Sequence, residues 1–404
     1  MALETKQTRS GLFLRRDDRL GLLVFSPFTG LMWAIHRDYE KPVAEWLESK
    51  EKACGPTAFR ESLGAGWSID ISRARFPTPH LLPSPKAWKT LEAPDHPILI
   101  NWFLTGRWPL ACKYCYAEDL MRNESLEPDK EAIVRIAHEI LARNPLAVVL
   151  TGGDPLFSPF LATALEVLSG RVGLILDTSG YTFNERHLRL FRQHQVSVRI
   201  SLDSDRPHIN QYQRPLHRQY EALAKSGVST LEAAISALSK CLEAGLSVTV
   251  QTVATRKNAN DLPSLGDKLF RLGVSSWRVF KVAPSQANYQ NYLSLVGEYL
   301  DDGRRVKGKQ AAGPYEYIFA RIRELAEGAW ERRMAVQLTY NETSNSVILV
   351  SPDGVFYTES NVNPGKVVLD ERNVHAPSKA AILSKVNMLA HAERYLNVTG
   401  PQVP

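Results

Sequence analysis

The sequence predicts an α/β protein built on a parallel sheet, and two observations lead there. From Pro97 onward short apolar, partly β-branched runs recur: Ile98–Thr105, Ala147–Leu150, Val172–Asp177, Val196–Leu202, Leu246–Ala254 and Ser276–Val282. Between them lie stretches with apolar residues at helical spacing: Lys130–Ala142, Pro159–Leu168, Asn184–His194, Thr230–Ala244 and Leu262–Leu272. Strands covered by helices on both faces read as continuous apolar runs, as these do. Six such β-α units wind into a partial or full barrel, or into an open doubly wound sheet.

Residues 1–75 precede this pattern and read as a small α+β unit. Leu12–Leu14, Leu20–Phe25 and Leu31–Ile35 are short apolar runs separated by turn-forming segments, a β-meander pattern. A helix is expected over Lys41–Ser49, where Val43, Ala44, Trp46 and Leu47 fall at helical spacing. Residues 76–96 are dense in proline and form a linker or wrapping segment, because proline restricts its neighbours and offers no amide donor. The β/α pattern occupies residues 97–285. A C-terminal extension, residues 286–404, carries a helix over Pro314–Trp330. In it Ser346–Val350 and Val355–Thr358 flank the turn Ser351-Pro352-Asp353-Gly354, a hairpin sequence.

Composition narrows the function classes. With 44% hydrophobic and 23% charged residues the 404-residue chain reads as an ordinary soluble protein. It has no run of eighteen apolar residues, so no membrane span is expected. The first ten residues lack the apolar core of a secretory signal, which makes cytoplasm the expected compartment. A formal charge of +6, spread along the chain, is a solvated surface rather than a nucleic-acid footprint. The cysteines are Cys54, Cys112, Cys115 and Cys241, too few for a disulfide scaffold. The spacing of Cys112 and Cys115 in a reducing compartment points to metal or redox work.

In parallel β/α folds, functional groups gather on the loops that follow the strands. The first strand leads into Leu104-Thr105-Gly106-Arg107-Trp108-Pro109-Leu110-Ala111-Cys112-Lys113-Tyr114-Cys115. A lone Cys-x-x-Cys is open to a zinc site, a redox pair or chance; neither Cys54 nor Cys241 has a partner at zinc-knuckle spacing. The second strand ends in Thr151-Gly152-Gly153-Asp154-Pro155 and the third in Asp177-Thr178-Ser179-Gly180. The fourth ends in Ser201-Leu202-Asp203, followed by His208 and Arg214, and Gln251 stands in the fifth. Each set taken alone also reads as an ordinary strand-end turn or surface residue.

Taken in order, these loops resemble the radical S-adenosylmethionine (radical SAM) family, in particular its peptide-modifying maturases. Cys112, Tyr114 and Cys115 match the second half of the family loop Cys-x-x-x-Cys-x-aromatic-Cys, but Trp108 stands where its first cysteine belongs. Gly152-Gly153-Asp154-Pro155 is similar to the family's Gly-Gly-Glu-Pro. The resemblance spans roughly Pro97–Pro284 and implies a partial parallel (β/α)6 barrel.

It further implies a [4Fe-4S] cluster on cysteine thiolates, here Cys112 and Cys115. S-adenosylmethionine (SAM) would then be bound by Tyr114, Gly152, Gly153, Asp154, Ser201 and Arg214, with Gln251 a further candidate. In the family the cluster and SAM together generate a 5′-deoxyadenosyl radical, and the protein positions and shields the pair. The implied partners are a peptide or small-protein substrate and a reductase or flavodoxin-like electron donor. An indole is no metal ligand, so Trp108 marks the cluster site as compromised. The competing expectations are a pseudoenzyme or peptide-binding barrel without redox activity, and a zinc-bearing α/β enzyme. With no cysteine beyond Cys241, auxiliary clusters in the C-terminal extension are not expected.

Overall fold

The computed structural model describes residues 4–9, 11–35, 93–115, 117, 127–220, 227–282, 294–295, 314–328, 330, 334–339, 345–360, 365–369 and 385–396. The helix expected over 41–49, most of the proline-rich segment and Cys54 lie outside them.

Six parallel strands form in the order expected: β5 (Leu99–Thr105), β6 (Ala147–Gly152), β7 (Gly173–Thr178), β8 (Ser197–Ser201), β9 (Val248–Ala254) and β10 (Ser276–Lys281). Each is paired to its neighbour in parallel register. The crossover helices are α1 (Lys130–Leu141), α2 (Leu161–Leu168), α3 (Glu185–Gln193), α4 (Pro207–Gln213), α5 (Thr230–Glu243) and α6 (Leu262–Arg271). The sequence pattern omitted α4, whose residues 207–213 are mostly polar. Local chemistry sets the helix starts; at α5, Ser229 Oγ accepts from the Glu232 amide while Glu232 Oε2 accepts from the Ser229 amide, a capping box.

The C-terminal extension is part of the same sheet. Beyond the helix α7 (Pro314–Glu327), β11 (Ala335–Thr339) pairs in parallel with β10. The expected hairpin forms as β12 (Leu349–Val350) and β13 (Phe356–Ser360). Through β12 it pairs in parallel with β5, and β14 (Gly365–Val368) follows on β13. The sheet thus runs β11-β10-β9-β8-β7-β6-β5-β12-β13-β14, a partial TIM-like barrel widened at both edges.

The two faces of the barrel differ. Val148, Leu150, Val198, Ile200, Trp277 and Val279 pack outward against the helices in one large core. The inward face is covered from below by an antiparallel sheet, β1 (Lys6–Gln7), β2 (Phe13–Asp17), β3 (Gly21–Ser26) and β4 (Leu31–Ile35). The helix α8 (Met388–Tyr395) joins it there. The sequence sets residues 1–75 apart; β2, β3 and β4 in that range share one buried cluster with the barrel. Leu23 and Phe25 meet Leu99, Val149, Ile175 and Leu396 in it. A Cβ on Gly173 would lie 2.1 Å from the Phe25 ring, so a glycine on β7 is what lets β3 press on the barrel. Buried Arg15 adds a polar tie, donating to the carbonyls of Pro97 (2.6 Å), His96 (3.3 Å) and Asn144.

On α8, buried His391 fastens the C-terminal helix to β5. Its Nε2 accepts from the amides of Ile98 (3.0 Å) and Leu99 (3.3 Å), and its Nδ1–H donates to the Ser346 carbonyl (2.8 Å). Burial, with the nearby positive charges of Arg394 and Arg15, depresses its pKa from 6.5 to about 4, against the pull of the Ser346 carbonyl. The folded state therefore refuses a proton that the unfolded chain takes up. Stability is whole above pH 6.5 and is lost as pH falls from 6.5 toward 4, by up to roughly 3 kcal/mol from this group. Denaturant unfolding of wild type and His391→Gln over that window should show the wild-type curve falling more steeply. Parallel curves would remove His391 as the cause.

Candidate functional site

The C-terminal ends of the barrel strands carry the residues singled out from sequence. The loop after β5 is held over this end by two sets of backbone bonds. On one side Gly153 N donates to Thr105 O (2.9 Å) and Asp154 N to Arg107 O (2.7 Å). On the other, a short antiparallel ladder joins it to the segment after α4. There Ala111 N donates to Pro215 O (2.8 Å), Lys113 N to Gln213 O (3.0 Å) and His217 N to Pro109 O (2.7 Å). The first set fixes the loop to the end of β6, and the second brings Arg214 beside Cys112 and Tyr114.

Gly152 and Gly153 are glycines for a steric reason. A Cβ on Gly153 would lie 2.0 Å from the Arg107 carbonyl oxygen, and one on Gly152, at φ +129°, 2.5 Å from the Thr105 oxygen. Gly153→Ala should therefore displace the cysteine loop and lower stability by about 1–3 kcal/mol. Unchanged urea unfolding would show that the loop yields freely.

Trp108 occupies space in this same corner. Its Cε3 lies 2.9 Å from where a Gly153 Cβ would be, its ring meets His217 edge-on at 6.3 Å, and it packs with Cys115 against Phe103, Val347, Leu349 and Tyr357. The indole is thus part of a small apolar cluster between the loop and the C-terminal hairpin.

Beside it sits a buried polar knot that the sequence only half revealed. The Tyr114 hydroxyl donates to Asp203 Oδ2, and Arg214 Nη1 donates to the Tyr114 oxygen (2.6 Å) while lying 3.7 Å from Asp203 Oδ2. Asp203 Oδ1 accepts from the Val253 amide (2.9 Å), and Asn258 Nδ2 donates to the Asp203 carbonyl (2.7 Å). Burial pushes the Tyr114 pKa well up. It raises that of Asp203 as well, against the pull of Arg214. Burial opposes the charge on Arg214, but Cys112, Tyr114 and Asp203 outweigh it and hold the guanidinium protonated. Burial also pushes the Cys112 thiol up to about 12, partly offset by Arg214. Asp203 and Asn258 were not expected as partners; the signal for Asp203 was its place in Ser201-Leu202-Asp203 at a strand end.

Asp154 is buried, and its carboxylate is taken up by the next strand end. It accepts from the hydroxyls of Thr178 (2.8 Å) and Ser179 (2.6 Å) and from the amides of Ser179 (2.9 Å) and Leu156 (3.2 Å). Four donors fill the lone pairs of one carboxylate, so the side chain ties β6 to β7, and an ammonium group has no vacant acceptor on it. Ser201 and Gln251 stand in register on β8 and β9, half-buried. His208 is exposed on α4.

Among the described residues no three His, Cys, Asp or Glu side chains come together as a metal site. Cys112 and Cys115 lie beside each other and neither is in a disulfide, and Cys241 is buried on α5 within the outer core. The donor set described is one thiolate short of the three that hold a [4Fe-4S] cluster in the radical SAM loop that the sequence resembles, and two short of a four-ligand zinc site.

Residues 105–267, which span every loop described above, match the model of the Radical SAM superfamily. The chain carries a radical SAM domain. Curated relatives of that domain include an AdoMet-dependent heme synthase of Nitratidesulfovibrio vulgaris, 22% identical over 57% of this chain and 63% of its own length. Mycofactocin maturase MftC of Mycobacterium tuberculosis is 26% identical over 47% of this chain and 46% of its own. The chain therefore spans less than two thirds of the length of these relatives. Among solved structures, Streptococcus suis SuiB bound to precursor peptide SuiA superposes with TM-score 0.55 over 96% of this chain and 90% of SuiB, at 10% identity. Native anSMEcpe with bound AdoMet superposes with TM-score 0.52 over 74% of this chain and 83% of its own, at 13% identity. At such identities the likeness is one of fold. Among the described residues, no helix of this protein is long and apolar enough to cross a membrane.

Proposed function

We propose that the chain is a SAM-binding protein of radical SAM type that acts on a peptide or small protein and whose cluster site is compromised by Trp108. The observation that carries this reading is convergence: Cys112, Gly153, Ser201 and Arg214 come from separate strand-end loops to one end of the barrel. SAM would be held by the backbone at Gly152 and Gly153, by Tyr114 and Ser201, with Gln251 beside it, and by the guanidinium of Arg214. Arginine suits a carboxylate because its planar fork donates two parallel bonds. Asp154 would contribute by fixing the loop between β6 and β7 rather than by touching the ligand. Cys112 and Cys115 would be two cluster ligands; a full cluster with SAM, reduced by a reductase or flavodoxin-like donor, supplies radical chemistry in this family. SuiB, which shares the fold over nearly its whole length, binds a precursor peptide, and this supports a peptide substrate.

The indole of Trp108 favours a second reading. Packed against Gly153, it supports a barrel that keeps a ligand or peptide site without redox chemistry. Calorimetric titration of SAM into the full chain, freed of metal, tests the part common to both. We expect a saturable heat that is weakened by Ser201→Ala together with Gln251→Ala. No heat in wild type would end the SAM-binding reading.

A further inference from the structure

The barrel interior holds a second polar feature, away from the cysteine loop and unused by the chemistry proposed above. Arg199 lies between Val198 and Ile200 on β8, and Arg278 between Trp277 and Val279 on β10. Because those apolar neighbours pack outward into the helical core, strand alternation turns both arginines to the inward face. There they line a cavity of about 30 Å³ with Gln337 on β11, Met32 on β4, and Arg394 and Tyr395 on α8. That is room for one or two waters or the head of one small ion.

The three guanidinium groups differ in their partners. Arg199 is buried and lies 3.6 Å from Asp177 Oδ1. Arg394 donates to Ser346 Oγ (3.2 Å) among its contacts. Arg278 lies over the Phe280 ring, 5.2 Å from the guanidinium carbon, and feels the charge of Asp177 without a hydrogen bond to it. Its Nε is buried with no acceptor. Burial and the positive charge of Arg199 pull its pKa down to about 9, with Arg394 adding to the effect and Tyr395 and Asp177 opposing it. Three guanidinium groups lining one small cavity, one of them with a buried Nε that lacks an acceptor, are a costly arrangement that an anion would relieve.

We propose that this cavity is a binding site for a small oxyanion, a single carboxylate or phosphate group, gripped by Arg199, Arg278 and Arg394. The site lies on the inward face of the barrel, with Arg278 in register with Gln251 and, across β9, with Ser201. A ligand anchored there through its acidic group would lie on the inward face that also carries the strand-end residues. Recognition would be by bidentate guanidinium contacts, with Gln337 at the exposed rim.

The test is thermal unfolding and calorimetry of the full chain with sodium acetate, glutarate and inorganic phosphate, each at an ionic strength held constant with sodium chloride. We expect at least one oxyanion to raise the Tm of wild type with saturation, and Arg278→Gln to bind it at least ten-fold more weakly. Arg278→Gln should also be no less stable than wild type when no oxyanion is present, since it removes a guanidinium whose buried Nε lacks an acceptor. Arg394→Gln, on the helix rather than the barrel, provides a second variant if the first does not fold, and should likewise weaken binding. The acetate and phosphate arms decide which oxyanion the site prefers. Equal response to chloride and all three oxyanions, or equal response in wild type and both variants, would overturn the proposal.

Discussion

Arg214→Ala should lower the stability of the chain by about 3–5 kcal/mol and weaken SAM binding by about 1.5–3 kcal/mol. The stability loss follows from the knot around Asp203. With the guanidinium gone, the Asp203 carboxylate stays buried with a tyrosine hydroxyl and one amide but no cation. The binding loss follows from geometry of a different kind. Only Nη1 of Arg214 is described in contact with Tyr114 and Asp203, and a guanidinium carries five N–H donors, so the fork keeps donors for a ligand carboxylate. The two effects separate. Adding Asp203→Asn to Arg214→Ala should restore much of the stability by removing the stranded charge, yet leave SAM affinity low. Urea unfolding and calorimetry read the two quantities. Equal SAM affinity in wild type and Arg214→Ala would take Arg214 out of the ligand site, and a stability change below 1 kcal/mol would contradict the buried ion pair.

Much of the barrel was legible because its strands are buried on both faces. Runs such as Ala147–Leu150 and Val172–Leu176 are apolar throughout, and the strands observed begin and end within two residues of the expected ones. The C-terminal edge was less so. Strand β11, Ala335–Thr339, is short and lies at a sheet edge, where packing demands little of its sequence. The place of the first four strands beneath the barrel was hidden as well, since a meander pattern says nothing about what it packs on; Gly173 opposite Phe25 is visible only once the two are brought together.

The candidate site was readable as an ordered set of strand-end loops, but not as a network. The resemblance implies Asp154 as a SAM-binding residue, whereas its carboxylate is filled by Thr178, Ser179 and Leu156. Spacing along one loop cannot report what the next loop donates. The inward arginines did leave a trace: Arg199 and Arg278 are charged residues flanked on both sides by buried apolar ones, and such a residue needs a partner or a cavity.

Trp108 remains the residue on which the account turns. The loop from Thr105 to Ala117 keeps the spacing of Cys112, Tyr114 and Cys115, and its backbone is fixed on both sides by the bonds to Gly153, Asp154, Gln213 and Pro215. A cysteine at position 108 therefore needs no change in loop length to offer a third thiolate, and it removes the indole that packs against Gly153. Anaerobic reconstitution of wild type and Trp108→Cys side by side, with iron and acid-labile sulfide counted and 5′-deoxyadenosine assayed under reducing conditions, is the direct measurement. Trp108→Cys should gain about four irons per chain, as three-cysteine sites hold, and should cleave SAM. Wild type should hold less iron, or lose it on desalting, and release little or no 5′-deoxyadenosine. A wild-type chain that keeps a stable four-iron cluster and turns over SAM as fast as Trp108→Cys would contradict the account and require another residue to supply the missing ligand.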